Sequence, residues 1–319
     1  MIVTVTANPS IDITLEVPDF AIGEVNRAVS IRKDPAGKGI NVARALTRNG
    51  VVATAVFPAD HNSGGWIVDA LGQLGVPTVT VPIAGEVRQN TTVVDGNCTT
   101  KINQAGPTLS TSEQDALVTR VRELLATKPE WLVVAGSLPG GLHTDFVVQL
   151  GTLAREAGVR YAVDASGDAL VAVAEAGIAN LLKPNLEELA ELAERDLTTV
   201  GEVAAFCRTL PGGPIVLVSL GENGALLVSP TELLWAGHPP VIADSTVGAG
   251  DCTLAGFLAA DVREPSNELA ARLRTAVAWG TAAVQLPATS VPGPAQIQPE
   301  HVRLDPNPHE TIRIQELRV

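Results

Sequence analysis

The chain has 319 residues, a formal net charge of -13 and a pI near 4.8. This acidic balance argues against a nucleic-acid surface or an anionic membrane as partner, and an anionic substrate would need a local basic cluster. Three cysteines without ligand-like spacing support neither a disulfide framework nor a zinc site. Because the sequence also lacks a secretory leader and a long apolar run, we expect a cytoplasmic protein.

The first residues predict a buried strand and a ligand position after it. Residues 2–7 are mostly β-branched and end at Asn8-Pro9, and Asp12 follows. Loops after the carboxyl ends of strands hold ligands in α/β sheets, so Asp12 is a candidate to bind sugar hydroxyls; a local turn hydrogen bond is the alternative. Residues 14–17 and 28–32 alternate and predict strands with one exposed face, which would form a flap over a cleft.

A glycine-rich helix entry comes next in the chain. Gly37 and Gly39 bracket Lys38 where a helix begins, and a point of close packing is the alternative to a binding role. Apolar segments at 53–58 and 78–81 flank a helix at 63–74, an alternation that predicts a parallel sheet. A hairpin with strands at 88–94 and 99–103 carries Arg88 and Lys101, either as solvated surface or as cations for a phosphate.

The middle of the chain continues this alternation. It predicts helices at 113–126 and 168–176 and strands at 131–135, 161–164, 180–183 and 215–219. Lys183, Asn185 and Glu188 surround one strand-to-helix corner, which suits a nucleotide phosphate with hydrated magnesium; a plain helix cap is the alternative. Gly221 and Gly224 then precede a hairpin through 233–235. We expect a helix at 269–285, an irregular segment at 287–308 and an edge strand at 311–319.

The segment DSTVGAGD, residues 244–251, is where the sequence points most directly to chemistry. Gly248 and Gly250 flank Ala249, so backbone N–H groups can surround a small anion where a helix begins. Asp251 lies in the first turn of that helix, where the dipole favours a carboxylate that can accept a proton. An anion hole beside a base indicates group transfer, and a glycine-rich turn with an ordinary helix-start aspartate is the alternative.

These motifs together resemble the ribokinase-like (PfkB) family of sugar kinases along nearly the whole chain. The resemblance is carried by NPSID, AGKGINVARAL, the hairpin around RQN, GSLPGG, KPNxxE, SLGxxGA and STVGAGD, in that order. It implies a single α/β domain over residues 1–319, an αβα sandwich with a mainly parallel central sheet. It also implies a small β-sheet lid inserted at about 12–34 and 86–105, and a homodimer formed through the lids.

The resemblance also implies roles for individual residues. Asp251 would be the general base, with Gly248, Ala249 and Gly250 as the anion hole. Sugar hydroxyls would be held by Asp12, Gly39 and Asn41. The candidates for the substrate's phosphate are Arg27, Lys38, Arg88 and Lys101. The ATP and magnesium site would be lined by Lys183, Asn185, Glu188, Ser219, Gly221 and Gly224, with Glu188 reaching Mg²⁺ through water. Whether potassium is needed stays open.

Within the family, the sequence is most similar to 1-phosphofructokinases and to their tagatose-6-phosphate and 6-phosphofructokinase relatives. Some 6-phosphofructokinases carry a basic residue where Glu24 stands here, which favours fructose 1-phosphate as substrate. A kinase for tagatose 6-phosphate or fructose 6-phosphate is the alternative. A non-catalytic sugar-phosphate sensor is disfavoured because Asp251, both anion-hole glycines and Glu188 are retained. A Rossmann dehydrogenase is disfavoured because no GxGxxG follows the first strand.

Overall fold

The structure is a computed structural model that describes residues 1–96, 98–265 and 268–319. Its strands are β1 (Ile2–Val5), β2 (Ser10–Glu16), β3 (Ser30–Ala36), β4 (Ala53–Ala59), β5 (Thr78–Pro82), β6 (Arg88–Asp95), β7 (Cys98–Asn103), β8 (Trp131–Ala135), β9 (Arg160–Asp164), β10 (Leu181–Leu182), β11 (Ile215–Ser219), β12 (Ala225–Val228), β13 (Leu233–Gly237) and β14 (Arg303–Asp305). Its α-helices are α1 (Lys38–Arg48), α2 (Ser63–Gln73), α3 (Thr111–Leu125), α4 (Asp145–Ala157), α5 (Asp168–Ala176), α6 (Leu186–Leu192), α7 (Val200–Thr209), α8 (Ala249–Arg263) and α9 (Leu269–Val284).

The larger sheet is mainly parallel and has the order β14-β13-β12-β11-β10-β9-β8-β1-β4-β5. In this sheet the neighbouring strands β11, β10, β9, β8, β1, β4 and β5 run parallel to one another. Strands β12, β13 and β14 form an antiparallel end. Every residue of β1 and β8 is buried. Because successive side chains of a strand point to opposite faces, this burial means that both faces of the sheet are covered. The predicted central sheet is confirmed.

A second, smaller sheet has the order β3-β2-β6-β7. In it β2 pairs antiparallel with β3 and parallel with β6, and β6 pairs antiparallel with β7. Asp12 lies inside β2, opposite Asp34 on β3 and Asn90 on β6. The prediction that Asp12 follows a strand in a loop was therefore wrong, because the chain turns at Asn8-Pro9 and at once becomes extended again.

The C-terminal region differs most from the sequence-based prediction. The edge strand predicted at residues 311–319 was wrong: the edge strand is β14, which pairs with β13, so the segment expected to be irregular holds regular structure. The alternation of Ile312 and Ile314 does not continue to Leu317, and the chain instead forms a single 3₁₀ turn at Ile314–Glu316. Ile314 and Leu317 are buried against the core. Helices α4 and α7 were not among the predicted elements.

The remaining predicted helices and strands are found within a few residues of their expected bounds. Within residues 1–96, 98–265 and 268–319, none of the helices combines the length and the apolar character needed to cross a bilayer.

Candidate active site

The candidate site lies where the central sheet meets the smaller one. It takes Asp164 from the carboxyl end of β9, Lys183 from just after β10, Lys38 and Asn41 from α1, and Asp251 from α8. Carboxyl ends of parallel strands lie at one edge of a sheet, which is where open α/β folds bind ligands. The topology thus gathers side chains that are far apart in the sequence.

Asp251 is the buried carboxylate at the centre of this site. Its residue is 6% exposed, and the Asn41 side-chain amide donates a hydrogen bond to Oδ2 at 2.8 Å. Burial raises the pKa of Asp251 to about 6, and the nearby charge of Asp164 adds to this, while the Asn41 hydrogen bond, Lys38 and Lys183 act in the opposite direction. A carboxylate with a pKa just below neutral is ionised at pH 7 and suited to accept a proton.

The entry of α8 is built from small residues. Gly248 caps the helix in a left-handed conformation with φ of 80°, and within the described chain no side chain caps the first turn. The N–H group of Cys252 bonds to the Gly248 carbonyl at 2.9 Å, so the N–H groups before Cys252 have no helical acceptor. A Cβ atom on Gly250 would lie 3.2 Å from Lys183 Nζ. The absence of a side chain at Gly250 therefore lets the Lys183 ammonium group come close to the start of α8.

Two lysines share one buried carboxylate beside this entry. Lys38 Nζ lies 2.8 Å from Asp164 Oδ1, and Lys183 Nζ lies 3.1 Å from Asp164 Oδ2. Burial alone would raise the pKa of Asp164, but the two lysines outweigh it and hold that pKa below its usual value. Burial likewise opposes the charge on Lys38, yet Asp164, Asp251 and Glu188 raise its pKa. Asp164 and Lys38 therefore stay charged near neutral pH.

Asp164 was not identified from the sequence. It belongs to no glycine-rich motif, and its only local signal is its place as the last residue of a buried parallel strand. That position is where ligand-binding side chains occur in α/β sheets, so the signal was available but weak.

The corner after β10 combines a helix cap with an accessible carboxylate. Asn185 Oδ1 accepts from the Glu188 N–H at 2.8 Å, and Glu188 Oε2 accepts from the Asn185 N–H at 2.9 Å, which is a capping box. The helix cap that the sequence analysis gave as the alternative is therefore present. Glu188 Oε1 takes no part in the cap and lies 4.0 Å from Lys38 Nζ, so it remains available to a ligand.

A cavity of about 690 Å³ opens beside the α8 entry. Of the predicted residues, it is lined by Asn185, Ser219, Gly221, Gly224, Ala249 and Gly250. Its other walls include Pro239, Pro240, Val241 and Ala243 and, from α9, Val277, Gly280, Thr281 and Val284, none of which the sequence had indicated as lining a site. A largely apolar pocket of this size, ending at an uncapped helix N-terminus, has the character of a nucleotide site.

A second polar cluster lies on the smaller sheet. Asp12 Oδ1 accepts from the Ser10 hydroxyl at 2.8 Å and from the Asn90 amide at 3.1 Å. Burial raises the pKa of Asp12, and these hydrogen bonds and the charge of Arg88 partly compensate. Ser10 and Asn90 lie within the NPSID and RQN motifs but were not singled out.

Arg88 is positioned beside Asp12 by backbone oxygens. Its guanidinium donates to the carbonyls of Gln104 and Asn8 at 3.1 and 3.2 Å, and to the Ser137 hydroxyl at 3.5 Å. Burial lowers the pKa of Arg88, and Asp12 acts against this. Among the described residues Arg88 forms no salt bridge, so its charge is not neutralised by a bonded carboxylate.

Three further predicted residues are not drawn into these clusters by side-chain contacts. Arg27 is exposed in the loop between β2 and β3, and Lys101 is exposed on β7; neither forms a salt bridge within the described ranges. A Cβ atom on Gly39 would come within 2.6 Å of Thr6 Oγ1 and 2.8 Å of the Val5 carbonyl oxygen. Gly39 is therefore required for the close approach of α1 to β1, the alternative that the sequence left open.

Comparisons with known proteins point to one family. The profile of the pfkB family carbohydrate kinases matches residues 3–296. The 1-phosphofructokinase of Rhodobacter capsulatus is 35% identical over 292 residues, covering 88% of this chain and 89% of its own. The ATP-dependent 6-phosphofructokinase isozyme 2 of Escherichia coli K12 is 35% identical over 287 residues, covering 88% and 92%. The crystal structure of Escherichia coli phosphofructokinase-2 in complex with potassium superposes with a TM-score of 0.87 at 33% identity, covering 93% of this chain and 96% of that one.

Proposed function

The chain belongs to the pfkB family of carbohydrate kinases, and we propose that it transfers the γ-phosphoryl group of ATP to the free primary hydroxyl of fructose 1-phosphate, forming fructose 1,6-bisphosphate. An ATP-dependent sugar-phosphate kinase is what family membership and the phosphofructokinase relatives support. The single observation that carries the chemical proposal is the buried Asp251, which directly follows the cavity-lining residues Ala249 and Gly250 and is held by the Asn41 amide.

In the proposed mechanism Asp251 takes the proton from the attacking hydroxyl. The hydroxyl oxygen bonds to the γ-phosphorus as the bond from that phosphorus to the bridging oxygen breaks, so ADP leaves and Asp251 holds the proton. The N–H groups of Ala249 and Gly250 and the ammonium group of Lys183 would face the negative charge of the transferred group. Because phosphoryl transfer has a loose transition state, positioning and charge neutralisation supply most of the catalysis.

The residues present fit ATP and magnesium. Gly221 has φ of 62° and open space beside it, which lets the backbone approach a ligand, and Asn185, Ser219 and Gly224 complete the same wall. Glu188 is the carboxylate that would hold Mg²⁺ through water, and the ion would neutralise charge on the phosphates. Within the described residues no three His, Cys, Asp or Glu side chains form a metal cage, which suits an ion held chiefly by phosphates and water. Potassium as a further cofactor is supported only by the Escherichia coli complex.

The smaller sheet would act as a lid that holds the sugar phosphate. In this proposal Asp12, Asn41 and the backbone of Gly39 bind sugar hydroxyls. Arg88 is the main partner of the substrate's phosphate, because its guanidinium is positioned and has no bonded carboxylate. Arg27 and Lys101 would join it from the exposed part of the lid, and Lys38 is the weaker candidate because Asp164 already pairs with it.

Two substrates compete in this proposal. Fructose 6-phosphate is favoured by the Escherichia coli 6-phosphofructokinase, which is as similar to this chain as the Rhodobacter enzyme is. Fructose 1-phosphate is favoured by Glu24, an acidic residue in the lid loop where a basic residue would suit the 6-phosphate. A coupled assay of ADP release across fructose 1-phosphate, fructose 6-phosphate, tagatose 6-phosphate and free fructose tests the choice. We expect the highest kcat/KM with fructose 1-phosphate; a higher value with another sugar would reassign the substrate, and no ADP release with any would favour the sensor.

We further propose a homodimer that forms through the lids. Six large apolar residues of the lid are exposed, namely Phe20, Ile22, Val25, Val29, Ile31 and Ile102, and an apolar face of this kind is a common subunit interface. Replacing Ile31 by Asp should shift the protein toward monomer in light scattering at micromolar concentration. Val52→Asp, an equally exposed position outside the lid, is the control. A fully active parent monomer under the same conditions would contradict the proposal.

A further inference from the structure

Arg44 is a buried arginine on α1 that touches neither the nucleotide cavity nor Asp251. Its residue is only 6% exposed. Nη1 donates to the side-chain oxygen of Asn41 at 3.1 Å and to the Pro35 carbonyl at 3.0 Å. Nη2 lies 3.9 Å from Asp34 Oδ1. An arginine in the protein interior loses its hydration, which costs free energy. The buried position of Arg44 therefore calls for a reason beyond packing.

The contacts of Asn41 suggest that reason. A side-chain amide has an accepting oxygen at one end and a donating nitrogen at the other, and it can turn to exchange them. A guanidinium can only donate, so Arg44 requires the Asn41 oxygen to face it. The Asn41 nitrogen is then directed at Asp251 Oδ2, 2.8 Å away. If the amide turned, its oxygen would face the carboxylate and the hydrogen bond would be replaced by repulsion.

We propose that Arg44 is a positioning residue that fixes the orientation of the Asn41 amide and thereby the position of Asp251. The proposal rests on the assignment of Asp251 as the base of the kinase reaction. The Asn41 amide is the one hydrogen-bond donor to the Asp251 carboxylate within the described chain, which leaves the rest of that carboxylate free for a substrate hydroxyl. A base held at one oxygen and free at the other has the geometry that proton abstraction needs.

Arg44 also connects the base to the lid strand. Asp34 on β3 accepts two hydrogen bonds from Arg32, at 2.7 and 2.9 Å, and lies directly opposite Asp12 in the sheet. The chain of contacts thus runs from the lid through Asp34, Arg44 and Asn41 to Asp251. This continuity places the orientation of the base under the influence of the same strand pair that carries the sugar-binding candidate Asp12.

The pH dependence of turnover reports this role. The charged and titratable groups facing Asp251 are Lys38 on α1, Asp164 on β9, Lys183 after β10 and its own neighbour Cys252, next to which Arg44 lies. The Asn41 hydrogen bond favours the ionised form of Asp251, so its loss raises the pKa of that carboxyl. The acid limb of the kcat profile should therefore move to higher pH when Arg44 is removed.

The test compares Arg44→Met, Arg44→Lys and the control Arg48→Met in the full-length enzyme. Arg48 lies on the same helix but is exposed. For Arg44→Met we expect a plateau kcat lower by about tenfold to hundredfold, the loss of one hydrogen bond to a charged group, and an acid limb displaced upward by about one pH unit. KM for ATP should change less than threefold or so, since Arg44 is remote from the cavity. Lysine also only donates, so Arg44→Lys should recover part of both effects, and Arg48→Met should match the parent.

An acid limb unchanged in both Arg44 variants would overturn the proposal, as would a loss of activity that only follows a lower melting temperature. If Arg44→Met does not fold, Arg44→Lys provides the test. The acid limb of its kcat profile must then shift to higher pH, and an unshifted limb refutes the positioning role of Arg44.

A carbon-13 carboxyl titration of the nucleotide-free protein separates this inference from the proposed function. The Asp251 signal can be assigned by its absence in Asp251→Asn. A higher titration midpoint in the Arg44 variants supports the positioning role even if no sugar phosphate is turned over. An unchanged midpoint refutes it even if the enzyme proves to be a kinase.

Discussion

Helix α8 carries two buried aspartates near its two ends, and their surroundings are opposite. Asp261 is fully buried and bonded on both oxygens: Arg272 and Arg160 lie 2.6 Å from Oδ1 and Oδ2, and the Trp131 indole donates to Oδ2 at 2.8 Å. Among the described residues, the Asp251 carboxylate has a single hydrogen bond, from Asn41. The same residue type on the same helix is thus saturated with partners at one end and nearly without them at the other, where we propose the base.

The difference follows from what each carboxylate lacks. A carboxylate whose two oxygens are both engaged by donors has no oxygen left for a substrate hydroxyl, so its contribution is to stability. An anion left with one partner in a buried site is poorly stabilised, which raises its pKa and makes it a better base near neutral pH.

The largest expected effect comes from replacing Asp251, the proposed base. Asp251→Asn should lower kcat by about 10² to 10⁴, roughly 3 to 5 kcal/mol, because an amide cannot take the hydroxyl proton. Sugar and ATP dissociation constants should stay within a few fold, since asparagine has nearly the same shape. Steady-state kinetics and calorimetry check both, with a melting curve to confirm folding. Turnover above about a tenth of the parent rate would reduce Asp251 to a helix-start residue.

Replacing Asp261, at the other end of α8, should lower stability and leave turnover nearly unchanged. Asp261→Asn leaves Arg160 and Arg272 without their anion and should lower the free energy of unfolding by about 3 kcal/mol, while kcat of the folded enzyme stays near the parent value. Urea unfolding measures the loss. Glu123→Gln, which breaks the exposed pair with Arg120, is the control and should cost less than about 1 kcal/mol. A drop in kcat as large as that of Asp251→Asn would show that Asp261 does not have a purely structural role.

The comparison extends to arginines, because Arg88 and Arg27 of the smaller sheet and its loop can be contrasted with Arg272 beside Asp261. Arg88 has no bonded carboxylate in the described structure, and so Arg88→Met should raise KM for the sugar phosphate by about tenfold to hundredfold, or roughly 1.5 to 3 kcal/mol. Arg27→Met should act in the same direction but less, because Arg27 is exposed on a loop. Arg272→Met, which removes a neutralised arginine, should leave that KM unchanged. Equal weakening of ATP and sugar by Arg88→Met would show that Arg88 is only a structural support.

The smallest expected effect is a pH-dependent gain in stability. Burial raises the pKa of folded Asp251 to about 6, so the folded protein binds this proton more tightly than the unfolded chain does. The parent therefore loses stability as pH rises from about 4 to about 6 and does not regain it above that range. Asp251→Asn removes this loss and should be more stable than the parent at pH 7.5, with little difference near pH 4. Thermal unfolding at both pH values checks this, with Asp69→Asn on the surface of α2 as control; a gain that is the same at pH 4 would refute the cause.

The sequence revealed those parts of the site that have local signatures. Glycine pairs beside a charged residue at a helix start predicted Lys38 and Asp251, and a cap position after Pro184 predicted Asn185, because a turn and a helix cap are decided by neighbouring residues. The family resemblance supplied roles for these positions, and the parallel sheet followed from the alternation of elements.

Long-range partners could not be predicted in this way. Asp164 meets Lys183 because β9 and β10 are neighbours in the sheet, and Lys38 reaches it from α1. Asp261 on α8 meets Arg160 on β9 and Arg272 on α9, elements that are far apart in the sequence. The C-terminal edge strand was misplaced for a related reason. Pairing with β13 decides which segment is extended there, and alternation within a short segment carries too little information to show it.

The close contact of α1 with β1 has a consequence for how the enzyme can diverge. Gly39 leaves no space for a side chain, so the helix is fixed against the strand, and Lys38, Asn41 and Arg44 are carried on one rigid body. A mutation that shifts this helix would disturb the charge cluster and the base together and would be lost by selection. New sugar preferences should therefore arise on the opposite wall, among the residues of β2, β6 and the loop through Glu24, where a change alters contacts to the sugar and leaves the chemistry intact.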